Sequence, residues 1–540
     1  MGPVMGVTRQ LCRSVAAASA VLLLVAALAG CGEGGGEGDS SGVDTAGEQP
    51  QPGGTLVFGV EAATDGWNPT TSRFAISGHT VASAIYDPLM VIGDDGTPQP
   101  FLAESVSPNL EFTEWRIRLQ DGIRFHDGTP LTADVVKADL DAHRESALTG
   151  AVLDDVIDVQ VEDGLNVIVT MEEPWASFPY ILAANIGYVF APSMLTAPNG
   201  AQEPVGTGPF RMEAWEPGED VSVVRNDDYW REDRPYLDGI QFRVITDPTE
   251  RAEALRNGDV DLIHTVRDED ILQFRSDAEV NMFEDDSGEE TFAMLNMEAA
   301  PFDDPLVRQA LAMATDQQRL VDVLGSGIVR EATSLFPEGL PWHPEDDGYP
   351  AYDPDQAALL VAQHEERTGD PVAFTFATTP TTDNLAAAQL LEAMWTSVGM
   401  DVTIETHEQS ELINQALTGD FQAVNWRLFG SPDPDGEFVW LHSSHSEPVG
   451  EISLNFARME NPVVDAALEA GRGTDDEAVR RRSYQTLAQE VNSALPFVWL
   501  QQTLWALVAR SSVQGMEAAA NGGIGALGAK PWLADLWIPA

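Results

Sequence analysis

The sequence predicts a mixed α/β protein with at least two lobes. Strand-like segments and apolar stripes at helical spacing interleave along its whole length, which points to sheets covered by helices. Roughly 490 residues follow the N-terminal region, more than the about 300 that one hydrophobic core usually serves. After the two N-terminal cysteines, Cys12 and Cys31, no cysteine remains, so packing alone must hold these lobes.

In chain order, Arg9 and Arg13 precede an apolar run from Val15 to Leu28, broken only by Ser19. Such a run suits the core of a signal peptide and is too short to span a bilayer comfortably. It ends at Leu28-Ala29-Gly30-Cys31, a lipobox pattern in which the cysteine receives lipid before cleavage. The alternative is an ordinary secretory signal with an incidental cysteine. Residues 1–30 therefore read as a signal peptide. Residues 31–52, rich in Gly, Glu, Asp, Ser and Pro, read as a tether. The Gly-x-Ser-x-Gly pattern at Gly38 to Gly42 falls in this tether, without the strand and helix that a hydrolase elbow needs.

Order is expected from Gly53, with a strand over Thr55 to Val60. Trp115 to Leu119 alternates like a half-buried strand, and Asp121-Gly122 and Asp127-Gly128 frame a hairpin-like unit over Ile123 to His126. Thr132 is placed to cap a helix from Ala133, and Val167, Val169 and Met171 mark a further strand. Asp304-Pro305 opens a helix whose stripe runs through Leu306, Ala310, Met313, Leu320 and Leu324 to a stop at Gly325. A second stripe, Leu385 to Val398, ends at Gly399 before a strand at Val402 to Ile404. Phe421 to Trp426 and Pro496 to Leu500 read as strands, and Asp475 to Asn492 as a helix.

The charge excludes one class of partner. There are 29 basic and 87 acidic residues, a net of −58, and loss of Arg9 and Arg13 with the signal would make it −60. Such a field repels nucleic acid and anionic lipid headgroups. Catalysis has no motif to stand on, since no H-E-x-x-H and no nucleophile elbow occur. His442-Ser-Ser-His445 offers two imidazoles without further ligands and reads as an exposed loop, so neither metal nor cofactor is expected.

Several blocks then follow in a characteristic order. They are Ile85-Tyr-Asp-Pro-Leu-Met90, Pro100-Phe-Leu-Ala-Glu-Ser105, the long segment Trp115 to Val135, Gly206-Thr-Gly-Pro-Phe210, Asn226-Asp-Asp-Tyr-Trp230, Leu295-Asn296, Pro305 to Ala310, and Asn455-Phe456 through Asn461-Pro462. In these blocks the chain resembles the family 5 bacterial solute-binding proteins, the group of oligopeptide, dipeptide and nickel receptors. The resemblance implies a periplasmic-binding-protein type II-like, Venus-flytrap body whose larger lobe has two subdomains. On that basis residues 53–80, 204–295 and 505–540 are expected in the main subdomain of lobe I, 81–203 in its second subdomain, and 296–504 in lobe II. It also implies a monomeric receptor, anchored by lipid on the extracytoplasmic face of the cell membrane, that hands a peptide or other small solute to ABC transporter permease subunits. A sensing receptor is the alternative.

Peptide-binding relatives hold the ligand's ammonium with an aspartate before an Asp-Pro pair. Matching that pair to Asp433-Pro434 puts Gly430 or Phe429 in its place. Dipeptide receptors use an arginine after a strand comparable to Val372 to Thr378, where this chain has Thr379-Pro380-Thr381. Loss of both anchors speaks against a small zwitterionic dipeptide and leaves longer peptides or another organic solute. The candidate ligand contacts are Trp426, Phe429 and Trp440 as aromatic walls, Arg427, Asp433 and Asp435 as polar anchors, with Thr378, Thr379 and Trp67 beside them. For the aromatics core packing is the competing reading, and for Trp67 a structural turn.

Overall fold

The computed structural model describes residues 49–72, 74–285, 289–427, 431, 433–517 and 532–539. Cys31, the signal and tether as far as residue 48, and Phe429 lie outside the described residues.

Three sheets organise the chain. A seven-stranded sheet runs in the order Val280–Asp285, Trp505–Arg510, Leu262–Thr265, Thr55–Val60, Gly239–Val244, Val221–Arg225, Phe210–Trp215. Thr55–Val60 lies parallel to both of its neighbours. Leu56, Phe58 and Val60 enter one core and Val57 packs against another, which is why this strand is a continuous apolar run. A five-stranded sheet has the order Asp401–Thr406, Ala373–Thr378, Ala423–Arg427, Glu290–Leu295, Phe497–Gln502. Its first three strands are parallel and the other two pair antiparallel. Ala293 and Leu295 face one core, and Phe292 and Met294 the other. The third sheet, Ala103–Pro108, Glu114–Leu119, Asn166–Met171 and Val156–Asp163, is antiparallel and packs beside the helix Ala133–Arg144.

The chain passes between the seven- and five-stranded sheets twice, from Asp285 to Glu290 and from Gln502 to Trp505. The crossings are tied together, with Thr503 N donating to Glu289 O at 2.8 Å.

Two local expectations need correcting. The stripe from Leu306 to Leu324 belongs to two helices, Pro305–Ala314 and Gln317–Val323. Thr315 turns extended between them, and Asp316 caps a new start by accepting from Arg319 N. The period survives the break because Leu311 and Leu320 face the same core. Thr132 stands at the N-cap of Ala133–Arg144 without a side-chain capping bond. Ile123 to His126 does form a hairpin-like unit, with Arg124 bridged antiparallel to Pro130, Leu131 N donating to Ile123 O and Phe125 N to Thr129 O.

The ordered sequence blocks prove to be joints of the scaffold. Asp87, fully buried, accepts from Thr207 Oγ1 (3.1 Å), Tyr229 OH (3.0 Å) and Trp230 Nε1 (2.8 Å). Three blocks far apart in sequence thus meet at one carboxyl, which burial pushes up to about 6 against the pull of those donors. A methyl group on Gly206 would run into the carbonyl oxygen of Ile85, which explains that glycine. In the five-stranded region Asn296 Nδ2 donates to Gly419 O and Phe421 O, and Arg308 to Phe302 O and Ala494 O.

Candidate functional site

In open α/β sheets, ligands bind outside the carboxyl ends of parallel strands. Here those ends come from two sheets. The seven-stranded sheet ends its parallel strands at Val60, Val244 and Thr265, and the five-stranded sheet at Thr378, Thr406 and Arg427. Side chains bridge the two edges. Arg267 Nε lies 4.0 Å from Asp383 Oδ2, and the guanidinium of Arg427 sits 4.9 Å over the Trp505 ring.

A chain of buried polar groups runs along this junction. Arg251 and His264 both approach Glu61 at 3.8 Å, and His264 packs edge-on to Trp505, with ring centroids 5.7 Å apart. Trp505 Nε1 donates to Glu289 Oε2 at 2.8 Å, and Arg427 Nε stands 3.5 Å from the same oxygen. Burial lowers His264 to about 4, so it is neutral at pH 7. Burial raises Glu289, opposed by Arg427 and by the Trp505 donor.

A second polar centre ties the four-stranded-sheet region to the five-stranded one. Asp435 Oδ2 accepts from Trp175 Nε1 (2.7 Å) and Ser177 Oγ (2.8 Å), while its Oδ1 accepts from Arg472 Nε (2.7 Å). Arg472 also reaches Asp155 Oδ2 at 2.7 Å, and its guanidinium lies over the rings of Phe438 (3.4 Å) and Trp175 (4.3 Å). Nearby, Asp433 pairs with Arg480 at 2.5 Å, and burial pushes this carboxyl up to about 6.

The candidates from sequence are therefore dispersed. Arg427 and Thr378 stand at strand ends on the junction. Asn425 Nδ2 donates to Thr378 Oγ1 at 3.5 Å, and Asn384 Nδ2 to Thr379 Oγ1 at 2.6 Å. Trp426 and Trp440 both pack on Phe456, with centroids 5.6 and 5.2 Å apart. Asp433 and Asp435 are engaged by arginines, and Trp67 is buried against Trp215 with its carbonyl accepting from Tyr86 OH. His442 stacks on Phe438 and His445 approaches Asp154 at 3.3 Å. Among the described residues no group of three or more His, Cys, Asp or Glu side chains could hold a metal ion. Sequence reasoning missed Glu289, Glu290, Glu437, Trp505 and Arg472. A signal was available only for Glu289-Glu290, an acidic pair at the start of an apolar strand.

The sequence model of the bacterial extracellular solute-binding proteins, family 5 Middle, matches residues 97–448. The chain belongs to this family. This solute-binding protein is not an enzyme. It is 26% identical over 459 residues to the glutathione-binding protein GsiB of Pectobacterium atrosepticum, covering 82% of this chain and 88% of that one. The nickel-binding periplasmic protein of Escherichia coli K12 is 26% identical, with 75% and 81% covered. The di/tripeptide-binding protein 2 of Pseudomonas aeruginosa is 24% identical, with 85% and 92% covered. Among solved structures, the oligopeptide-binding protein AppA of Bacillus subtilis, in complex with a nonapeptide, superposes with a TM-score of 0.80 at 20% identity, covering 91% of this chain and all of that one. Such structural neighbours show the fold, a two-lobed periplasmic-binding-protein type II architecture. Among the described residues no helix is long and apolar enough to cross a membrane.

Proposed function

We propose that this family 5 protein captures a peptide between its two lobes outside the cytoplasm and delivers it to the permease of an ABC importer. One observation carries the reading: the carboxyl ends of two sets of parallel strands meet at a junction crossed twice by the chain and lined by Glu61, His264, Glu289, Arg427 and Trp505. Two crossings allow hinge closure around a solute. The relatives named for glutathione and for di- and tripeptides support a peptide. The proposed lobes are residues 53–285 with 505–540, and 290–504. The boundary expected at 295 moves back because Glu290–Leu295 pairs inside the five-stranded sheet, and the four-stranded sheet lies in a second subdomain at 81–203. Arg427, Trp426, Thr378 and Thr379 stand at or beside the junction and are the proposed contacts, and Cys31 is the proposed lipid site holding the receptor at the membrane. Two or more acyl chains make such anchoring stable.

The test is thermal melting of the purified protein against peptides of two to eight residues, oligosaccharides, organic cations and nickel. A ligand at one hundred times its dissociation constant stabilises by about 2.7 kcal/mol. A shift with peptides supports the reading, and a shift confined to another class moves the substrate. Silence throughout, with no ligand co-purified in native mass spectrometry, refutes capture and favours a sensing receptor.

A further inference from the structure

Around the junction almost every buried carboxylate has its own cation or donor. Glu289 has Arg427 and Trp505, Asp433 has Arg480, and Asp435 has Arg472, Trp175 and Ser177. Three carboxyls break this pattern, namely Asp268 beside Asp383 and, elsewhere on the junction, Glu290 and Glu437. Glu290 is 5% exposed and Glu437 is 8% exposed, yet Glu290 Oε1 and Glu437 Oε2 accept no hydrogen bond. Neither residue forms an ion pair with a described residue.

The fold places them together. Glu290 opens the strand Glu290–Leu295 immediately after the first crossing, and Phe292 and Met294, which follow at the strand's period of two, face the core that holds Phe438. Glu437 directly precedes Phe438 and is near enough to raise the pKa of Glu290. Directly across the ladder from Glu290 stands Gln502, on the second crossing. Gln502 is also 5% exposed, and its Oε1 has no donor either. Cross-strand partners share a face. Three unmatched oxygens thus gather where both crossings enter the five-stranded sheet, and all three are acceptors once the two carboxyls are ionised.

An acceptor buried without a donor costs about 1–3 kcal/mol. Such groups call for an explanation, and a bound donor is one. Two neighbouring carboxyls narrow the donor to a cation, because an opposite charge favours ionisation of both where burial opposes it. Burial raises both groups, Glu437 to about 8, and in Glu290 the nearby Glu437 and Glu289 carboxylates add to the rise. We propose that Glu290 and Glu437, with the amide oxygen of Gln502, form a subsite that receives an ammonium or guanidinium group of the captured solute. This rests on the solute-capture reading above and adds the ligand's chemistry to it. It would supply a negative anchor to a site where Glu61, Glu289, Asp433 and Asp435 already face arginines.

The test uses the full chain and four probes: tetra-alanine, its N-acetyl form, N-acetyl-Ala-Lys-Ala-Ala, and calcium chloride. Melting shifts and calorimetric affinities are recorded for the wild type, Glu290→Gln and Glu437→Gln, each variant first checked for an unchanged circular dichroism spectrum and a cooperative melt. Tetra-alanine or the lysine peptide should bind at least tenfold more tightly than the N-acetyl form. Each glutamine variant should erase that preference while still binding the neutral probe weakly. Equal binding of charged and neutral peptides, unchanged in both variants, overturns the subsite and leaves solute capture standing. A calcium shift lost in the variants, with no discrimination among peptides, overturns it in favour of a metal site. Should one variant fail to fold, the other decides the question alone. A wild type that responds to none of the probes overturns the subsite, and the broader panel above then decides solute capture separately.

Discussion

Asp435→Asn tests the polar centre between the four-stranded and five-stranded regions. The substitution keeps the shape of the side chain and removes its charge. The carboxylate now accepts from Trp175 Nε1, Ser177 Oγ and Arg472 Nε at 2.7 to 2.8 Å, with 5% of the residue exposed. Removing one partner of a buried ion pair costs about 3–5 kcal/mol. The lower end applies here, because Arg472 keeps Asp155 at 2.7 Å and Trp175 Nε1 keeps Ser177 Oγ at 3.1 Å. The unfolding entropy of roughly 490 residues is about 1 kcal/mol/K, so a loss of about 3 kcal/mol lowers Tm by roughly 3 °C. Differential scanning calorimetry on Asp435→Asn, Trp175→Phe and the double variant reads this directly. The double variant should lose about 1–2 kcal/mol less than the sum of the singles, since both remove the same bond. The drop should persist in high salt, because buried pairs are screened little. A Tm within 1 °C of wild type, together with additive losses, would refute the idea that this carboxylate joins the two regions.

Other outcomes follow from single groups. Asp87→Ala strands the donors of Thr207, Tyr229 and Trp230 and should cost about 3–5 kcal/mol in urea unfolding. Glu437 has a folded value of about 8, above the 4.5 of an ordinary glutamate, so its stabilising protonation is fully present below pH 4.5 and is lost as pH rises through 8. Glu437→Gln should therefore gain on wild type between pH 5 and 8, by on the order of a few kcal/mol at the upper end; parallel stability–pH curves would count against the burial. Trp67→Ala should destabilise by about 3–5 kcal/mol without changing ligand preference, because Trp67 packs on Trp215 inside the core. Cys31→Ser should release the protein from membranes into the soluble fraction, and retention there would argue against lipid at that residue.

Much of the fold was legible in the sequence because local patterning and core facing agree. Thr55 to Val60 reads as a strand and is one, since burial on both faces demands an uninterrupted apolar run. The break at Thr315 was hidden because two helices on one core can keep a single apolar period. The candidate site was less legible. Asp433 and Asp435 look like anchors in a loop, and only folding brings Arg472, Arg480 and Trp175 to them. Glu290 and Glu437 are separated by almost 150 residues, and the absence of a partner is a property of the packed protein alone.

The sequence by itself determined the alternation of strands and helices, the exclusion of nucleic acid by charge, and the blocks that mark the family, because these depend on residue type and short spacing. The tertiary structure decided what the blocks do. Asp87 gathers three of them into one buried joint, and the two crossings bring the ends of two sheets together. Which acidic residues receive an arginine and which are left open depends on long-range packing, for which the linear order of residues holds no signal.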